Sequence, residues 1–330
     1  MAKDCSSAGW GAWNRDPASY SRRDQISIAV VRAKTLSARS FLRLAVASCV
    51  ALFLVVTSGA FVRLTGSGLG CENWPSCGDK PYPEQGFHAF VEFGNRIVAL
   101  VGIVLTLVTW LGSRRVVGLS RYARWAALGA FLVAFAQIPM GGITIALDLH
   151  PLAVMTHFLL GLTVVALSVI VVLEAWSLVA GLAMPVSPRR LRLFVSWIGL
   201  PLCAALVVTG AVATASGPHP GSSDDVERLG VAIADTVYVH VRVAAAFGIG
   251  VLLVGWLLRR LRGSHPGIVT LWTLLLASLV AQAILGEVQY QTALPWGLVL
   301  VHVFLAATIW ALSLAFAYVL WRPPATLARK

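Results

Sequence analysis

Eight times along its length this chain runs for twenty or more mostly apolar residues. Each run is long enough to cross a bilayer: about 20 residues of helix span the ~30 Å hydrocarbon core. The runs are Phe41 to Val62, His88 to Gly112, Trp125 to Ala146, Leu152 to Leu173, Leu193 to Thr214, Val237 to Leu258, Ile268 to Val288 and Trp296 to Trp321. Backbone polar groups in lipid must be satisfied internally, so runs of this length predict helices. Composition agrees, because 58% of the 330 residues are hydrophobic and 12% are charged, whereas a soluble domain carries about 25% charged residues. A soluble enzyme, a disordered chain and a collagenous or disulfide-dense scaffold are excluded. The expected fold is an all-α membrane protein with eight transmembrane helices.

The connections between the runs alternate in charge. Arg114, Arg115, Arg121 and Arg124 fill the second, Arg189, Arg190 and Arg192 the fourth, and Arg259, Arg260 and Arg262 the sixth. The odd-numbered connections hold Glu72, Asp79, Glu84, Asp148, Asp224, Asp225 and Glu227, with Lys80 and Arg228 as their bases. Counting the two tails, 21 of the 26 Lys and Arg fall on one side. The positive-inside rule then expects both termini in the cytoplasm of a multi-pass cell-membrane protein. The net charge of +12 is thus a matter of topology, and no nucleic acid is expected as a partner. Residues 1–40 read as a retained cytoplasmic tail, since their apolar run Ile26 to Val31 is too short for a signal peptide.

The sequence also repeats itself. Gln137-Ile-Pro-Met-Gly141 matches Gln282-Ala-Ile-Leu-Gly286 at an offset of 145, and His157, Thr163, Ala166, Leu167 and Ser168 match His302, Thr308, Ala311, Leu312 and Ser313 at the same offset. Thr57-Ser-Gly59-Ala resembles Val208-Thr-Gly210-Ala at 151. Four passes restore orientation, so the expectation is a tandem pair of four-helix bundles with parallel topology: 41–180 and 192–321, joined by a cytoplasmic linker at 181–191 and closed by a tail at 322–330.

Ionisable groups inside a bilayer are costly, and therefore point to function. His157, His240 and His302 lie about four to seven residues inside the acidic-loop ends of their runs, roughly 5–10 Å deep at 1.5 Å per residue. A lone membrane histidine more often bonds a neighbouring helix. Two at equal depth in one bundle, placed by a repeat, suit haem ligated by two imidazoles, as for His240 and His302. The 145 offset carries His240 onto Asn95, whose amide is a poor iron ligand, so His157 would be the one repeat-placed ligand of the first half. Its iron would keep an open position, suited to exchange or activation. Glu92 and His88 share a helical stripe with Asn95. Glu92 is either a solvated carboxylate or a group for chemistry and proton transfer, and Asn95 could hydrogen-bond a water or Glu92. His88 reads as an interface residue, and His150, His219 and His265 carry no assigned role.

Cys71 and Cys77 share the first external loop, on the oxidising side where disulfides persist, and their spacing can close one. Cys49 and Cys203 read as small apolar helix residues, and Cys5 falls in the reducing cytoplasm. The run Arg63-Leu-Thr-Gly-Ser-Gly-Leu-Gly-Cys71-Glu-Asn-Trp-Pro-Ser-Cys77, followed by Phe87-His-Ala-Phe-Val-Glu92-Phe-Gly-Asn95-Arg96, closely resembles the haem A synthase family. The resemblance takes in the eight helices, the two halves, the paired-cysteine loop and the three helical histidines.

That resemblance implies a reaction and a set of roles. Haem O, made by a farnesyltransferase, has one ring methyl oxidised by successive hydroxylations to the formyl group of haem A, which aa3-type cytochrome oxidase consumes. His240 and His302 correspond to the pair holding a haem b cofactor, with His157 and Glu92 on the substrate side. Asn95 departs from the family, whose commonest form has His there. Arg63, Arg96 and Arg242, near the outer boundary, are candidates either to pair with haem propionates or to act as snorkelling anchors. The implied partners are haem O, the farnesyltransferase (haem O synthase) and an unidentified electron donor, in a lipid bilayer, with room for a homo-oligomer. Two rivals stand: a di-haem b, quinol-linked electron carrier without haem-modifying activity, and a haem-free transporter or assembly protein.

Overall fold

The computed structural model describes residues 35–71, 73–78, 80, 82–84, 86–183, 187–222, 226–259 and 266–327. Most of the expected tail, the charges at Glu72, Asp79, Asp224, Asp225, Arg260 and Arg262, His265, and residues 328–330 lie outside the described residues. Among the described residues, eight helices are long and apolar enough to cross a membrane: α1 (Ala38–Leu64), α2 (Phe87–Ser113), α3 (Arg121–Ala146), α4 (Pro151–Ala180), α5 (Arg189–Ser216), α6 (Ile233–Leu258), α7 (Pro266–Gln291) and α8 (Trp296–Trp321). The protein is an all-helical, multi-pass membrane protein.

Helix ends follow local chemistry. Ser37 and Ser120 cap α1 and α3, their hydroxyls accepting from the backbone N–H groups of Ser40 and Ala123. Pro151 opens α4, where a missing N–H costs nothing. Inside α5, Pro201 cannot donate to the Trp197 carbonyl. The turn before it widens to π geometry at Val195–Gly199, with the Leu200 N–H reaching the Val195 carbonyl.

Consecutive helices pack, and α4 returns to α1 while α8 returns to α5, so each set of four closes into a ring. The rings meet through α4 and α8, with α8 also against α1 and α4 against α5. The central cluster includes Val164, Val165, Val169, Ala311, Ala315 and Phe316. Lipid is as apolar as this core, so close approach of small side chains, not hydrophobic burial, holds the helices together. The α3–α4 and α7–α8 turns are alike in backbone. Asp148 and Leu149, and 145 residues later Ala293 and Leu294, are successive residues with positive φ. In each turn the second of them donates to a carbonyl five residues back, Leu149 to Thr144 and Leu294 to Gln289.

Charged clamps tie the rings at both ends. At the end carrying Cys71 and Cys77, Arg63 of α1 donates to the carbonyls of Thr214 and His219, both at 3.0 Å. Ser67 pairs with Ser222 as an isolated bridge, and the Gly68 N–H meets the Gly221 carbonyl at 2.6 Å. At the opposite end Glu174 of α4 is 3% exposed. It accepts from Arg322 Nε at 2.6 Å and from the Tyr318 hydroxyl at 2.5 Å. The fourth run of the sequence stops short of this charge, whereas α4 continues through it to Ala180, because Arg322 and Tyr318 supply partners from the other ring. Glu174→Ala should lower stability by about 3 kcal/mol, the low end for a broken buried ion pair because Arg322 stays partly hydrated. Glu174→Gln should lose about half as much, which thermal unfolding in detergent measures.

Candidate functional site

His157, His240 and His302 lie six, seven and six residues beyond the first residues of α4, α6 and α8, so all three sit at one level near the disulfide end. α6 and α8 are diagonal in their ring. His240 and His302 nonetheless face each other across its centre, with ring centroids 6.5 Å apart and planes at 63°. Two imidazoles sharing one metal at about 2 Å per bond have centroids about 6–6.5 Å apart, so this pair can grip a single metal ion between its rings.

Each of these side chains is faced by a glycine of the preceding helix. A Cβ at Gly210 would lie 3.0 Å from His240 Cε1, and one at Gly286 would lie 3.2 Å from His302 Cε1. In the other ring Gly141 stands 3.8 Å from His157 Cε1 and Gly59 stands 3.9 Å from Asn95 Oδ1 by the same measure. Polar groups follow the same rule. The hydroxyl before the first-helix glycine meets the second helix: Ser58 donates to Asn95 Oδ1 at 2.7 Å, and Thr209 Oγ1 lies 3.1 Å from His240 Nδ1. On the third helix, Gln137 donates to the His157 carbonyl at 3.2 Å, and Gln282 to the His302 carbonyl at 3.0 Å. The Nδ1 atoms of His157 and His302 are buried without a hydrogen-bond partner among the described residues. Ser58, Thr209, Gln137 and Gln282 carry no role in a reading of the histidines alone. The offsets of 145 and 151 were the signal that could have found them.

The disulfide forms as expected between Cys71 and Cys77, whose Cα atoms are 4.6 Å apart. Glu92, 5% exposed, is neither solvated nor paired with Asn95. Its Oε2 accepts from the Cys71 N–H at 2.8 Å and its Oε1 from Arg96 Nη2 at 2.5 Å. Arg96 in turn donates to the carbonyls of Pro75 at 2.9 Å and Ser76 at 2.7 Å. Glu92 and Arg96 together anchor the loop over the first ring. His88 Nδ1 bonds Ser67 at 2.9 Å, so the expected His88–Glu92–Asn95 stripe splits among three separate partners. The helical spacing is right, but each group finds a neighbour on another element.

The three arginines offered as propionate partners are turned elsewhere. Arg96 is spent on the loop and Arg63 on the carbonyls ending α5. Arg242 lies two residues beyond His240 and so on the far side of α6, where it is exposed and stacks over Tyr238 with its guanidinium carbon 3.0 Å from the ring centroid.

Residues 42–89 match the family model described as cytochrome oxidase assembly protein. A protein named heme A synthase from Lysinibacillus sphaericus is 36% identical over 115 residues, covering 32% of this chain and 38% of its own length. Another of that name from Bacillus licheniformis is 26% identical over 136 residues, 40% of this chain and 45% of its own. Over these segments the chain is similar to proteins named heme A synthase. A protein named protoheme IX farnesyltransferase from Haloarcula marismortui is also similar, 30% identical over 122 residues, 34% of this chain and 26% of its own. The matches thus span less than half the length of the relatives. The segment matched by the family model takes in most of α1, the disulfide loop and the first residues of α2. The histidines of α4, α6 and α8 lie beyond that segment and stand on their geometry.

Proposed function

We propose that this protein is a haem A synthase, oxidising a methyl group of haem O to the formyl group of haem A by successive hydroxylations, with haem b as its resident cofactor. The observation that carries the reading is the His240–His302 pair, 6.5 Å apart in a chain related to enzymes of that name. The residues present fit a haem there. Gly210 and Gly286 keep the flanks of the rings open, and the His302 Nδ1 is left for a proton while Nε2 is free to bind. His240 and His302 would hold haem b, which supplies one-electron transfer when bound. The relative named protoheme IX farnesyltransferase supports haem O as the substrate. The electron donor is a separate component, and the two rings are read as a tandem duplication, the second at 192–321 holding the cofactor.

In the first ring His157 holds the substrate haem from one side and Asn95, on the diagonal helix, lies opposite. Asn95 is tied to Ser58 and offers no imidazole, so the substrate keeps one accessible axial side. Glu92 and Arg96 hold the disulfide loop as a cover at this end of the ring, which excludes water and orients the substrate. The loop faces outside and both termini face the cytoplasm, in line with the distribution of Lys and Arg. The test is haem extraction from membranes expressing the chain with haem O available. Haem A supports the reading; haem b with unmodified haem O would mark an electron-transfer protein, and an absence of haem a transporter or assembly role.

Asn95→His should close the open axial side. Protein loaded with haem O is expected to gain a second six-coordinate, low-spin spectrum, and haem A formation should fall. An unchanged spectrum would remove Asn95 from the substrate site.

A further inference from the structure

The two histidines that face each other in the second ring are not equivalent. Thr209 Oγ1 lies 3.1 Å from His240 Nδ1, on the ring that its neighbour Gly210 flanks. The threonine hydroxyl has a single proton, and the carbonyls of Ala205 at 2.9 Å and Leu206 at 3.0 Å both stand to receive it. Its lone pairs are therefore left to accept from His240. This neighbour asks that the His240 proton sit on Nδ1, leaving the Nε2 lone pair for a metal. Among the described residues His302 has no such partner on Nδ1.

We propose that Thr209 is a positioning residue for His240: it sets the ring's tautomer and orientation and makes it the more electron-rich of two unequal axial ligands. The inference rests on the assignment of His240 and His302 to haem b. A hydrogen bond that draws on the Nδ1 proton strengthens donation from Nε2 and so favours the ferric over the ferrous iron. Ser58, at the corresponding place in the first ring, also meets the second helix, there as the donor to Asn95 Oδ1. The hydroxyl is thus a feature of the ring architecture, present with or without an imidazole to orient.

The test compares Thr209→Val, of equal shape but without an acceptor, with Thr209→Ser, which restores the hydroxyl. Both are made in the full chain, purified and titrated with haem b. Thr209→Val should keep a six-coordinate low-spin spectrum because both ligands remain. Its affinity for haem b should fall about tenfold, the low end for the loss of an outer partner. Its midpoint potential should rise, by up to about 59 mV for a tenfold shift in the ferric-to-ferrous preference, and Thr209→Ser should return both values towards wild type. Wild-type affinity and potential in Thr209→Val, or a Ser variant indistinguishable from Val, would overturn the proposal. His240→Ala separates the two levels. If it abolishes tight binding while Thr209→Val changes nothing, only the role of Thr209 fails; if it binds haem b as wild type does, the haem b assignment itself fails.

Discussion

His302→Ala protein, purified from membranes and loaded with haem b, should lose the six-coordinate low-spin spectrum entirely. In the proposed assignment the two imidazoles would hold one metal only as a pair, and a single imidazole would leave one axial side to water or to nothing. His240→Ala should do the same. The loss is expected to be all-or-none, since each substitution removes one of only two proposed ligands. The fold should survive, because neither imidazole bonds a charged partner and each lies in a ring held by α4, α5 and α8 packing. His157→Ala is the control: it should leave that spectrum in place while lowering haem A formation. Loss of all bound haem in His157→Ala would mean that the two rings have been given each other's roles.

Removing Glu92 should be the most damaging change at the disulfide end. Its two oxygens hold the Cys71 N–H and the Arg96 guanidinium at 2.8 and 2.5 Å. Alanine strands both, leaving a largely buried arginine without its carboxylate, a loss of about 3–5 kcal/mol for such a pair. Glu92→Gln should be nearly as harmful, because the two donors sit on different carboxylate oxygens and the amide NH2 that replaces one of them would confront its donor. With the loop displaced by about 1 Å over the substrate, haem A formation should drop about 100-fold. The deciding comparison is Arg96→Gln. If Glu92 acts by anchoring the loop, Arg96→Gln should lower the haem A to haem O ratio about as far. If the carboxylate moves protons, Glu92→Gln should abolish turnover and Arg96→Gln should spare it.

Much of this molecule is written along the chain. Length and apolarity dictate eight helices, because a backbone in lipid has no other way to satisfy its polar groups. The offset of 145 marks His157 and His302, and it recurs in the backbone of the two turns at Asp148–Leu149 and Ala293–Leu294. Cysteines six positions apart on one loop anticipate the disulfide. Helix ends were less legible where a charge broke the apolar run, as at Glu174. Its partner Arg322 lies 148 residues away, and nothing in the local pattern announces it.

Which groups meet was decided by tertiary structure alone. The stripe of His88, Glu92 and Asn95 is a correct statement about one helix, yet its members bond Ser67 and the Cys71 N–H in the loop after α1 and Ser58 within α1. The physical reason is the solvent. In water, hydrophobic periodicity tells which side of a helix faces the core. In a bilayer lipid and core are alike apolar, so α8 shows almost no asymmetry around its circumference, and its sequence cannot say which neighbour His302 faces. Close packing of small residues and the clamps at either end choose the rotation of each helix. That rotation brings His240 within 6.5 Å of His302 and turns Arg242 away from it.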